Sequence, residues 1–110
     1  MSTKDPKPPD TTPGQGDPGT ALKDRVEKPR NFKVLLYNDD YTTMEFVIWV
    51  LIEVFRKSQI EATRIMLTVH RSGKGVAGIY SKEIAETKAS LAMGHATAAG
   101  YPLRAETEPE

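Results

Sequence analysis

The chain has 110 residues, no cysteine, and 15 Lys/Arg against 15 Asp/Glu. That length allows one small domain, and the missing thiols exclude disulfides, thiolate catalysis and Cys-ligated zinc. Its two histidines, His70 and His95, are too few for a closed structural zinc site.

Residues 1–30 hold six of the eight prolines, three of the eight glycines and no aromatic residue. Such a segment buries too little to offset its conformational entropy, so it is expected to be a disordered N-terminal extension. Composition alone reads it as a solubilising tail. The stretch Met1 to Pro6 lacks the apolar region of a signal peptide. The longest apolar run, Phe46 to Ile52, is far too short to span a bilayer. The expectation is a soluble, cytoplasmic protein with no membrane partner. Residues 31–105 carry nine basic and seven acidic side chains, short of the bias of a duplex binder. Nucleic acid is therefore disfavoured as the main partner.

Order is expected from Asn31. Phe32 to Tyr37 is β-branched and aromatic and stops at the turn-forming Asn38-Asp39-Asp40, which predicts a first, mostly buried strand. Thr42 precedes Glu45 by three positions, the spacing of a capping box, and predicts a helix. Val47, Val50, Leu51 and Val54 form its core-facing stripe. Ile48, Trp49 and Ile52 occupy the other flank, so this helix is either central to the fold or covers something. Ser58 and Glu61 repeat the capping signature and open a second helix with the stripe Ala62, Ile65, Met66 and Val69, ending before Gly73. Gly75 to Tyr80 alternates as a second strand. Ser81 can cap a third helix, with Glu83 in its first turn, running through Ile84, Lys88, Leu91 and His95 to Gly100. Pro102 to Glu106 predicts a last strand. The expected fold is α+β: a small β-α-α-β-α-β domain over residues 31–106, with a three-stranded antiparallel sheet packed against three helices. Residues 107–110 are expected to form a short acidic tail.

Enzyme signatures are missing. The sequence has no G-x-S-x-G elbow, P-loop or dinucleotide fingerprint. A metal site on Asp39, Asp40 and His70 has no HExxH or EF-hand pattern behind it. A binding site is better supported. Met44 and Val47 share a face near the acidic loop, and Met66, Val69 and His70 share a face of the second helix. If these faces meet, methionines and valines wall a pocket rimmed by an amide, two carboxylates and an imidazole. Its guest would have an apolar body and a cationic, donor-rich head, such as an α-amino group. Periodicity alone reads Met66 and Val69 simply as core, and Asn38-Asp39-Asp40 simply as a solvated turn.

The run Asn38-Asp39-Asp40-Tyr41-Thr42-Thr43-Met44-Glu45-Phe46-Val47 resembles the signature of the ClpS family, bacterial N-end rule adaptors. Ala62 to His70, Gly73-Lys74-Gly75 and Ala85-Glu86-Thr87-Lys88 match it further, in order, across residues 31–105. The resemblance implies a non-enzymatic, cofactor-free, monomeric adaptor. It would bind substrate N-termini beginning with Leu, Phe, Tyr or Trp and deliver them to the ClpA unfoldase of the ClpAP protease. Asn38, Asp39, Asp40 and His70 would hold the α-amino group. Thr42, Met44, Val47, Met66, Val69 and Leu103 would line the side-chain pocket, with Met44 as a gate against β-branched residues. Glu83, Glu86 and Lys88 would dock on the ClpA N-terminal domain, and the N-terminal extension would engage the unfoldase during handover. Thr43 stands where the family commonly has proline, a position expected at N1 of the first helix. Two alternatives are a ribosome-associated or nucleic-acid-binding α+β module and a metal-dependent hydrolase on Asp39, Asp40 and His70.

Overall fold

The computed structural model describes residues 29–110. All but the last two positions of the expected disordered extension lie outside the described residues. The elements are β1 (Phe32–Tyr37), α1 (Met44–Glu53), α2 (Gln59–Ser72), β2 (Lys74–Tyr80), α3 (Lys82–Ala99) and β3 (Arg104–Pro109). The sheet order is β2-β1-β3, with both pairings antiparallel. The α+β class and the β-α-α-β-α-β order are those expected.

Alternation along β1 sends Val34 and Leu36 into the core cluster, which they share with Val50 and Leu51 of α1, Ala62 and Ile65 of α2, and Ala85 to Ala96 of α3. Leu35, also buried, lies outside that cluster. α3 packs on β1 and β3, and α2 packs on β2 and α1. The buried face of α3 is Ala85, Ala89, Ala92 and Ala96. Ile84 and Leu91 remain exposed. Small side chains at i, i+4, i+7 and i+11 let this helix lie close to the sheet.

Two boundaries differ from expectation, and one cap lies where expected without its side-chain bond. The N-cap of α1 is Thr43, whose hydroxyl accepts from Phe46 N at 3.1 Å. Thr42 instead turns its hydroxyl toward Asp39, to which it donates at 2.7 Å. Thr43 is thus the cap itself and not the first helical residue. β3 continues to Pro109, in register with β1 from Tyr37↔Arg104 to Phe32↔Pro109. The residues expected as an acidic tail therefore extend an edge strand, where Glu108 pairs with Lys33 at 3.2 Å. Ser81 sits at the N-cap of α3 as expected, but makes no side-chain capping bond.

α2 matches its reading closely. Ser58 Oγ accepts from Glu61 N at 3.1 Å, and Gly73 closes the helix at φ 92°, a left-handed conformation that glycine adopts without a Cβ clash. The carbonyl of Gly73 accepts from Asn38 N at 2.9 Å. That bond ties the end of β1 to the end of α2. At Gly75 the close approach is sharper still, since a Cβ there would lie 2.9 Å from Val69 Cγ2. These contacts place the acidic loop beside the C-terminal turn of α2.

Candidate functional site

The loop between β1 and α1 is organised by one carboxylate. Asp39 Oδ1 accepts from Tyr41 N at 2.8 Å and Thr42 N at 2.7 Å, and Oδ2 accepts from Thr42 Oγ1 at 2.7 Å. Burial raises the pKa of Asp39, but these bonds from Thr42 and Tyr41 outweigh it and leave the group below its ordinary value. Three of its roughly four acceptor sites are used within the loop. Asp39 therefore sets the shape of the turn. Asp40, exposed beside it, makes no hydrogen bond or ion pair among the described residues, so its charge stays available.

The loop, the first turns of α1 and the last turns of α2 surround one cavity of about 490 Å³. Met66, Val69 and Val47 supply its buried apolar wall, at 6 %, 2 % and 7 % exposure. Met44, 46 % exposed, stands in the opening. Asn38, Asp39, Asp40 and His70 all line it, so amide, carboxylates and imidazole converge as the sequence suggested. Eleven of its twelve lining residues belong to two runs, 38–45 and 66–70, with Val47 between them. Of the ten residues assigned to this site, nine line the cavity. Leu103 does not; it is 5 % exposed within the main core. Tyr41, Thr43 and Glu45 also line the cavity; they lie inside the motif run but are not among the residues that the sequence assigns to the site. The arrangement suits a guest with an apolar end and a cationic head, because carboxylate and amide oxygens accept from ammonium while methionine and valine cover hydrocarbon.

A metal centre is a different matter. Among the described residues no group of three or more His, Cys, Asp or Glu could hold a metal ion, so Asp39, Asp40 and His70 do not form one.

A second hollow, about 820 Å³, runs along the outer face of α3 and is lined by Glu83, Glu86, Thr87, Ser90, Leu91, Gly94 and His95. Lys88 does not line it. Its Nζ donates to the carbonyl of Val54 at 2.7 Å and lies 5.2 Å from the centre of the Tyr80 ring, joining α3 to the end of α1. Trp49 is also placed: it stacks on Phe46 at 5.7 Å and meets the edge of His95 at 5.1 Å, so the outer flank of α1 packs toward α3. No helix among the described residues is long and apolar enough to cross a membrane.

Residues 27–106 match the model of a family described as ATP-dependent Clp protease adaptor protein ClpS. The adapter protein ClpS of Desulfatibacillum aliphaticivorans is 56% identical over 102 residues, covering 93% of this chain and 98% of that protein. That of Deinococcus radiodurans is 47% identical over 103 residues, 94% of this chain and 91% of that one. Among solved structures, Agrobacterium tumefaciens ClpS2 bound to L-phenylalaninamide matches with a TM-score of 0.73 and 48% identity, over 76% of this chain and 100% of that one.

Proposed function

The chain belongs to the ClpS family, adaptors of the ATP-dependent Clp protease and not enzymes, and from that premise we propose that its cavity captures the first residue of substrate proteins. The observation that carries this reading is a single cavity in which an apolar methionine and valine wall meets a rim of Asn38, Asp40 and His70. A relative of the same fold binds phenylalaninamide, which carries a free α-amine beside an aromatic side chain.

In this reading the α-amino group, protonated below its pKa near 8, donates to Asn38, Asp40 and His70, while Asp39 holds the loop that presents them. Leu, Phe, Tyr or Trp fills the space between Val47, Met66 and Val69. Thr42 and Met44 close it, with Met44 opposing a branch at Cβ. Burying such a side chain contributes roughly 1.5–3 kcal/mol, and each hydrogen bond to a charged group about 1.5–3 kcal/mol. After ordering of the peptide, the sum fits micromolar binding, ~8 kcal/mol. Neither half suffices alone.

Delivery to the ClpA unfoldase uses the outer face of α3, where Glu83 and Glu86 border the second hollow. Lys88 supports that face by bonding α3 to the end of α1. The N-terminal extension would engage the unfoldase at handover. The protein works as a cytoplasmic monomer.

Fluorescence titration with short peptides differing only in their first residue tests the reading. Leu, Phe, Tyr and Trp peptides should bind, Ile and Val peptides should bind at least tenfold more weakly, and Met44→Ala should narrow that gap. Acetylating the peptide amine removes its charge and donors and should weaken binding at least ~100-fold, the scale of losing two charged hydrogen bonds. Equal binding of acetylated and free peptides would sink the proposal.

A further inference from the structure

Tyr41 is the most exposed large side chain of its kind among the described residues, 75% accessible, yet it lines the recognition cavity. Its position is set. Its backbone N–H is held by Asp39 Oδ1 at 2.8 Å, and its neighbour Thr42 is held by the same carboxylate through both N–H and hydroxyl. The ring itself makes no hydrogen bond or aromatic pair among the described residues. An aromatic face is thus presented to solvent on a fixed turn that also carries Asp40 and lines the same cavity as Met44.

The direction of a bound peptide follows from the cavity. Its wall is Val47, Met66 and Val69, and its polar rim is Asn38, Asp40 and His70. With the first side chain against the wall and the amine on the rim, the second residue lies outside the cavity, over the exposed part of the loop. There the large apolar surfaces are Tyr41 and Met44. In the proposed capture Met44 faces the first side chain, which leaves Tyr41 for the second.

We infer that Tyr41 forms a subsite for the side chain of the second residue and favours aromatic residues there. The inference rests on the proposed capture of peptide N-termini. Offset or edge-to-face pairing of two rings adds to simple area burial. The backbone beneath Tyr41 is already fixed by Asp39, so only the ring's own rotamer freedom is lost on binding. The first residue decides whether a peptide binds, and the second tunes how tightly.

The test uses the full chain and two peptides, Leu-Phe-Ser-Lys and Leu-Gly-Ser-Lys, titrated into the unaltered protein, Tyr41→Ala and Tyr41→Phe. The unaltered protein should favour the Phe-second peptide about fivefold, within the range of an aromatic pair. Tyr41→Ala should bring that ratio close to one, and Tyr41→Phe should preserve it, since the ring and not the hydroxyl makes the contact. A ratio that survives in Tyr41→Ala, or that is already near one in the unaltered protein, overturns the inference. Equal weakening of both peptides by Tyr41→Ala also overturns it, because that pattern marks a loss of loop structure. If neither peptide binds the unaltered protein, the capture reading itself has failed, a result distinct from all of these.

Discussion

The cavity beside the acidic loop and the hollow on α3 differ in how many walls they have. The recognition cavity is lined by a loop and by residues of two helices, and three of its wall residues are nearly fully buried. The hollow on α3 is larger, but every residue lining it comes from that one helix, and its apolar member Leu91 is 49% exposed. A site with walls on several sides can enclose a single side chain and discriminate by shape. A site with one wall can only meet a surface, so its selectivity comes from charge and outline. In the proposed function the first would hold a chain terminus and the second would meet a folded partner.

The largest effect that would sharpen this contrast is expected from Asp39→Ala. It removes three hydrogen bonds from the loop and should weaken peptide binding roughly 10–100-fold, the scale of one or two charged bonds, while leaving docking through α3 intact. Titration and a pull-down with the unfoldase would report the two effects separately. The same carboxylate carries a pH signature. Its folded pKa lies below the ordinary value of 3.8, so its contribution to stability is present above the unfolded value and is lost as pH falls through the lowered one. The melting-temperature gap between the natural chain and Asp39→Ala should therefore hold steady from neutral pH to about 5 and close below about 4. A gap independent of pH would break the assignment.

Reversing charge on the other side is the complementary experiment. Glu83→Lys with Glu86→Lys should cut unfoldase-dependent degradation of a reporter about tenfold by removing rim complementarity, with peptide affinity within about twofold of the natural chain. Peptide binding lost in parallel would mean that the two faces are not independent.

Smaller is the expected effect of Gly75→Ala. The new methyl would meet Val69 Cγ2 at 2.9 Å, and the β-branched valine has little rotamer freedom to give way. Overpacking of about 1–3 kcal/mol should lower the denaturation midpoint and weaken Leu-peptide binding several-fold. Unchanged affinity with lowered stability would show that the wall at Val69 is less tightly supported than the geometry implies.

Much of this was legible before any coordinates. Ser58 and Gly73 bounded α2 because a cap hydroxyl and a left-handed glycine act within a few residues of chain. Thr42 misled for a related reason. Two adjacent threonines can both offer a hydroxyl at the start of α1; in the fold Thr42 bonds Asp39 and Thr43 accepts from Phe46 N. The extension of β3 to Pro109 was invisible because its residues read as an acidic tail and become a strand only by pairing with β1, some 70 positions earlier in the chain. The buried stripe on α3 was hidden by alanine, which suits core and surface alike.

For the site, the chemistry of the rim belonged to the sequence: Asn38, Asp39, Asp40 and His70 declare their donors and acceptors wherever they fall. Local spacing also placed Met44 with Val47, and Met66 with Val69 and His70, since helical geometry repeats over three and four residues. Tertiary structure alone decided that the two groups face one another. The bond from Asn38 N to the Gly73 carbonyl and the closeness of Gly75 to Val69 bring β1, α2 and β2 to one corner. Leu103 went to the core and Lys88 to the end of α1 for the same reason: contacts between distant segments depend on packing the whole chain, which no local pattern encodes.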